Sequence, residues 1–274
     1  MLLWSARLRL AHVLHRQALR PRVALERDGS LFDVALLEEH LGAAVPVHGE
    51  PSDLRTRLVA MGGAGLRELD QRLFAGERPR AAHLSREDVV LLPPFDPAGA
   101  AHLHVDLVDG RAHVGLAREV RGHFSFVPTR RAAPVVVRAG FGVVLGEDLS
   151  NASEREARAA LFGITPACFV GGGVANVVLG AVTLAGPLLV TTTELRVRDA
   201  HPSLTVGGRR IPLPAVEELG ARVESAIAAL SREVPLSAGD LVSFAWPHEP
   251  VEVALHAQVS TALPTLSALV VTAV

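Results

Sequence analysis

Between Ala167 and Val190 the sequence carries no charged residue. A run of that length matches the roughly 20 apolar residues that one helix needs to cross a bilayer. It is interrupted, however, by Gly171-Gly172-Gly173, Asn176, Gly180 and Gly186-Pro187. Glycine weakens a helix interior and proline breaks it, so the run divides into buried strands and a tight loop. The expectation is a β-rich core, with no membrane as partner.

Composition narrows the chemistry. All 27 basic side chains are arginine, and there is neither lysine nor tyrosine. Schiff-base aldolases, lysine-anchored pyridoxal phosphate and P-loop phosphate binding all need a lysine, so they are excluded. A catalytic tyrosine is excluded too. Arginine binds carboxylates well but is a poor base. A net charge of −2 gives no reason to expect nucleic acid. The single Cys168 has no internal disulfide partner. Met1-Leu2-Leu3-Trp4 lacks the apolar core of a signal peptide, and the expected location is cytoplasmic.

The pattern places a small α/β module first, over residues 1–92, and a strand-rich domain over 93–274. Ser5 to Val13 alternates as a half-buried strand. Val23 to Val34 reads as a hairpin turning at Asp28-Gly29. Helices are expected over Ala35–Leu41 and Ser52–Phe74, the second interrupted at Met61-Gly62-Gly63. Leu91-Leu92-Pro93-Pro94-Phe95-Asp96-Pro97 is a stiff connector. Strands follow at His102–Leu107, Val135–Arg138, Phe141–Leu145, Leu188–Thr192 and Leu241–Ala245. Asn151 with Glu154 reads as a capping box opening a helix through Leu161. That cap also accounts for the glycosylation-like triplet Asn151-Ala152-Ser153. Leu204–Ile211 is a hairpin turning at Gly207-Gly208, and Pro214 opens a helix with Val216, Leu219, Val223, Ile227 and Leu230 on one face.

Several segments in this order resemble the fumarylacetoacetate hydrolase family. They are GVVLGEDLSNASEREARAALFGIT from Gly142, GPLLVTTTEL from Gly186, and the stretch from Leu204 to Pro247 ending in GDLVSFAWP. The connector LLPPFDP resembles that family's entry to its catalytic domain. The resemblance implies an α+β, β-rich fold. Its catalytic domain is a rolled, mixed β-sheet preceded by the small N-terminal module, and it is usually a homodimer. It also implies divalent-metal chemistry on enolisable oxo-acids. Carried over residue by residue, the metal-binding glutamates fall on Arg138 and Gly140, and the aspartate on Phe169. The substrate-binding lysine and its aspartate fall on Val177 and Gly180, and the GTP triplet reads Ala245-Trp246-Pro247. A hard dication needs several oxygen donors, and these residues supply none. No metal or other cofactor is expected.

The candidate site residues follow. His102 and His104 share one strand face, as metal-binding pairs and half-buried strand histidines both do. Asp106 and His113 fall near the asparagine and histidine of the family's lid segment. Arg138 reads either as a stand-in for the cation or as a salt-bridged surface arginine. Arg130-Arg131 reads as solvated loop charge. Cys168 reads as a nucleophile beside the old ligand position or as inert core. Phe169 and Trp246 either line an apolar cavity or plug it. The expected catalytic group is His104, His113, Arg138 and Asp106, with His102, Phe169, Cys168 and Trp246 binding substrate.

Three readings of function follow from this set. The first is a metal-independent enzyme of secondary metabolism acting on an oxo-acid or polyketide-like small molecule, by cyclisation, isomerisation, decarboxylation or C–C cleavage. The second is a non-catalytic homologue serving as ligand-binding or partner subunit. The third is a metalloenzyme re-sited on His102 and His104.

Overall fold

The computed structural model describes residues 8–41, 54–93, 102–107, 112–113, 119–127, 135–172, 182–192, 195–266 and 268–274. The first part of the chain forms β1 (Arg9–His15), β2 (Arg20–Arg27), β3 (Ser30–Asp33), α1 (Val34–Leu41), α2 (Leu54–Phe74), β4 (His83–Leu84) and β5 (Val89–Leu92). Short strands β6 (His102–Asp106), β7 (Ala112–His113), β8 (Glu119–Arg121) and β9 (Phe126–Val127) lead to β10 (Val135–Leu145). Next come α3 (Glu154–Ala159), β11 (Leu161–Gly172), β12 (Val182–Ala185), β13 (Leu188–Thr191), β14 (Ser203–Val206) and β15 (Arg209–Ile211). The chain closes with α4 (Leu219–Glu233), β16 (Leu241–Ala245), β17 (Val251–Val253), β18 (Gln258–Ala262) and β19 (Leu269–Ala273).

The spine is the antiparallel pair β10–β11, in register from Val135↔Gly172 to Val144↔Gly163. Around it, a mixed sheet runs β4-β3-β2-β1-β13-β11-β10-β16-β6-β7, with β16 and β6 parallel. The N-terminal strands join the spine directly, through β1 on β13. A second sheet, β15-β14-β18-β19-β9, packs on one side.

Alternation along β10 decides which face meets which layer. Phe141, Val143 and Leu145 pack in one core with Ala157 of α3 and Val223, Ile227 and Leu230 of α4. Val135, Val137 and Ala139 face the second sheet, in a core with Val259 and Val271. On the opposite face, Val144 packs with Leu58, Leu66 and Leu69 of α2. The same face near the other end of β10 carries Arg138 and Gly140.

The structure departs from the sequence reading at several boundaries. The two strands expected over Val135–Arg138 and Phe141–Leu145 are one eleven-residue strand. The helix cap of α3 is Ser153, whose hydroxyl accepts from Glu156 N–H while the Glu156 carboxylate accepts from Ser153 N–H. Asn151 instead sits in a left-handed turn with its N–H on the Ser231 carbonyl, so the helix starts two residues later. Leu161 then opens β11 rather than closing the helix. Helix α4 begins at Leu219, after a left-handed Glu218, and not at Pro214. β1 is buried on both faces from Leu10 to Val13 instead of alternating, because α-helical and strand layers cover both sides. The break in α2 does fall at Gly62, where φ is 62° and ψ 173°. The hairpin turn is Gly207-Gly208, both at positive φ. Among the described residues, no helix is long and apolar enough to cross a membrane. Of the charge-free run, residues 173–181 lie outside the described residues; the rest is strand and a tight turn.

Candidate active site

One face of the main sheet gathers the candidate polar residues. Because β16 and β6 pair with Ser243 opposite His104 and Ala245 opposite Asp106, these residues share a face with Gly142 and Gly140 of β10. Thr165 and Phe169 of β11 and Thr183 of β12 fall on the same face by register.

Arg138 lies on this face, only 6% exposed. Its guanidinium grips Asp106 at two points, Nη1 to Oδ2 at 2.7 Å and Nη2 to Oδ1 at 3.2 Å. Nη2 also donates to the Trp246 carbonyl at 3.0 Å. Two-point geometry of this kind is the strong form of an ion pair. Arg138 Nε is buried and without a partner, as are the hydroxyls of Thr165 and Ser243 on the same face.

His104 is 2% exposed, within 3.2 Å of the Thr183 hydroxyl, and its ring meets that of Phe169 edge-on at 5.3 Å. The Phe169 ring lies over Gly140. A Cβ built on Gly140 would sit 2.6 Å from Phe169 Cε2 and 2.1 Å from the Phe244 carbonyl oxygen. Position 140 therefore has to be glycine, and the ring fills the space that a longer side chain would take.

Four of the expected residues are not brought to this group through their side chains, or are not described there. Cys168 alternates to the other face and packs in the core against the second sheet. Burial pushes its thiol up to about 12, only partly offset by Thr261, so it is a protonated core residue at neutral pH. The Trp246 ring also turns away, donating its indole N–H to the Pro214 carbonyl and packing edge-on against Phe141 and His201. Only its backbone carbonyl reaches Arg138. His102 lies on β6 opposite Leu241, and His113 on β7 opposite His104. Their side chains, like Val177, Gly180 and Arg130-Arg131, lie outside the described residues.

Sequence reasoning missed His248. β10 pairs with β16 up to Gly140 and with β17 from Val137, so Ala139 faces the connection between those two strands. There Trp246 N–H donates to the Ala139 carbonyl, and Ala139 N–H donates to His248 Nε2 at 2.9 Å. His248 Nδ1 is 2.7 Å from the Glu249 carbonyl and supplies the proton of that bond. Burial, and then the nearby charge of Arg138, lower its pKa against the opposing hydrogen bond to Glu249. It is a neutral ladder-filling group with no lone pair left to act as a base. The signal was a histidine three residues beyond a strand end, at the loop next to Arg138.

Arg138, Gly140 and Phe169 do not fit a divalent cation. A paired guanidinium, a glycine and a phenyl ring offer it no oxygen donor. Among the described residues no cluster of three metal-ligating side chains exists elsewhere.

No protein-family model and no curated sequence matches the chain. Solved structures do. Maleylpyruvate hydrolase from Sphingobium sp. SYK-6 superposes with a TM-score of 0.75 at 16% identity, covering 97% of this chain and 99% of that one. That hydrolase has also been solved with manganese(II) and pyruvate. 2-Hydroxyhepta-2,4-diene-1,7-dioate isomerase from Mycobacterium marinum gives 0.68 at 16% identity, with 97% and 98% covered. Fumarylacetoacetate hydrolase from the psychrophile Exiguobacterium antarcticum gives 0.67 at 16%, with 97% and 99% covered. The shared architecture extends over nearly the whole chain, N-terminal strands included, and the protein has the fold of the fumarylacetoacetate hydrolase family.

Proposed function

We propose that the chain is a metal-independent enzyme acting on a small, enolisable oxo-acid or polyketide-like molecule. Arg138 holds the anionic oxygen, and Asp106 is its exchangeable counter-ion. The Arg138–Asp106 pair carries this reading. A buried ion pair is a poor device for stability, since apolar replacements of similar volume are often neutral or better. Its position on this sheet face, where the resemblance assigns a metal-binding glutamate, is better explained by a ligand that needs a positive charge there. The unpartnered Arg138 Nε, Thr165 hydroxyl and Ser243 hydroxyl add to it, because buried polar atoms are nearly always bonded.

The chemistry is carboxylate exchange. An entering enolisable acid takes the Nη donors from Asp106. The released carboxylate then removes the α-proton, and the C–H electron pair moves into the enolate, whose oxygen stays on the guanidinium. His104, two residues before Asp106 on the same face, is assigned the role of receiving that proton. The reaction then ends as isomerisation, decarboxylation, cyclisation or C–C cleavage according to the substrate.

The test is deuterium exchange at the α-carbon of oxaloacetate and acetopyruvate, followed by proton NMR in the presence of a chelator. Exchange by the wild-type chain that falls at least a hundredfold in D106N and R138M supports the assignment. Exchange unaffected by both substitutions overturns it.

A second reading, a non-catalytic partner or ligand-binding subunit, draws support from Phe169 lying over Gly140. Absence of exchange in the folded wild-type chain, with or without binding, favours that reading and removes the first.

A further inference from the structure

A cavity of about 590 Å³, not lined by Arg138, lies where the main sheet forks. One edge of β1 is shared end to end by two strands, β13 opposite Arg9–Ala11 and β5 opposite His12–His15. Pro93 follows β5 and Pro187 precedes β13, and neither has an N–H to continue the ladder. The other branch of the fork, β12 with β8, carries the chain through Gly122 to His123 and Phe124. Gly122 packs directly on Pro93, with a built Cβ 3.0 Å from its ring.

The cavity floor is apolar, made by Leu31, Val89, Leu91 and Leu188. Among the described residues, its polar side chains are those of Arg16, Arg86 and His123. Arg86 is anchored by Nε on the Gly29 carbonyl at 2.9 Å, which leaves both Nη groups free among the described residues. Arg16 is drawn to the same rim by its N–H on the Asp88 carbonyl. His123 Nδ1 accepts the Val270 N–H at 3.0 Å, so its proton sits on Nε2. Burial lowers its pKa and keeps it in that neutral form. Among the described residues, no aspartate or glutamate lines the cavity. Phe124 stands over the rim, 69% exposed, in a left-handed conformation at φ 59° and held by its N–H on the Val270 carbonyl. Its ring is 3.8 Å from that of His123, centroid to centroid.

We infer that this cavity is a binding site for an amphipathic organic carboxylate, its aryl or acyl body on the Leu31–Leu188 floor and its carboxylate on Arg16 and Arg86. The volume lies within the usual range of small-molecule pockets, about 300–1,000 Å³. An apolar floor with a few convergent donors and no acceptor charge selects an anion over a neutral or cationic ligand of the same shape. Phe124 offers an aromatic face to the ligand body at the entrance.

Calorimetric titration with 1-naphthoate and 1-naphthamide tests the site. The expected result is that the acid binds at least tenfold more tightly than the amide. The doubly substituted R16Q/R86Q chain should lose that tenfold for the acid while binding the amide as before, which also reports that the cavity is intact. D106N should bind 1-naphthoate unchanged. Three results overturn the inference: no binding of the acid, equal binding of acid and amide, or acid affinity unaltered in R16Q/R86Q. A changed acid affinity in D106N overturns it as well, by placing the ligand on Arg138, and leaves the enzyme reading standing.

Discussion

The ring of Phe169 lies over Gly140, so close that a single methyl group on residue 140 would stand 2.6 Å from Cε2. The same methyl would stand 2.1 Å from the Phe244 carbonyl oxygen. One neighbour is a side chain and the other is backbone in the β10–β16 ladder. They relax very differently.

G140A is therefore expected to cost at least the top of the usual overpacking range of about 1–3 kcal/mol. Adding F169A removes the ring contact but leaves the carbonyl in place. Urea denaturation should find G140A/F169A clearly less stable than F169A alone. Equal stability of those two proteins would mean that the carbonyl contact is not limiting.

The Arg138–Asp106 pair yields a double-mutant cycle. Removing one partner strands the other in the interior, which costs about 3–5 kcal/mol for a fully buried pair. Asp106 keeps 16% of its side chain exposed, so D106N belongs at or below the lower end of that range. R138M leaves a carboxylate without its donors and belongs higher. R138M/D106L leaves no charge unmet, and its stability should return to within about 1 kcal/mol of wild type. Additive losses in the double variant would contradict the buried-pair argument.

The fold was readable because it is written in short-range signals. The glycine pair at the Leu204–Ile211 hairpin, Gly62 in α2 and the periodic face of Val223, Ile227 and Leu230 each report local geometry. The site was readable only in outline. Arg138 and Asp106 were both singled out, yet their bond spans 32 positions and depends on the parallel pairing of β6 with β16, which no spacing encodes. Cys168 and Phe169 are neighbours in sequence and were both expected to bind substrate, but alternation sends them to opposite faces. Trp246 contributes its carbonyl instead of its ring, and His248 fills a ladder position opened where β10 changes partner from β16 to β17. Those roles are set by tertiary register.

Cys168 should be inert in the folded protein. Its thiol, pushed up to about 12 by burial, stays protonated at pH 9, where an ordinary cysteine is largely thiolate. Iodoacetamide at that pH should label it only after unfolding in urea. The same shift bears on stability. The unfolded chain loses this proton near pH 9 and the folded chain only near pH 12, so the stabilisation is complete below pH 9 and declines between those values. Rapid labelling of the native protein would contradict the assigned burial.

The acid side depends on His248 and His123. Each accepts a backbone N–H, from Ala139 and Val270 respectively, and each has its pKa lowered by burial first. The folded protein keeps both neutral, whereas the unfolded chain protonates them below their ordinary value of 6.5. Stability is thus full above that pH and falls as pH drops from 6.5 toward the lower folded values. Glutamine can accept the Ala139 N–H through its amide oxygen but cannot titrate. H248Q should accordingly lose little stability at pH 8 and show a shallower decline of Tm between pH 6.5 and 5 than wild type. H123Q should do the same through Val270, and the two effects should add, since the residues hold different strands. A wild-type slope retained in both variants would assign the acid limb to carboxylates instead.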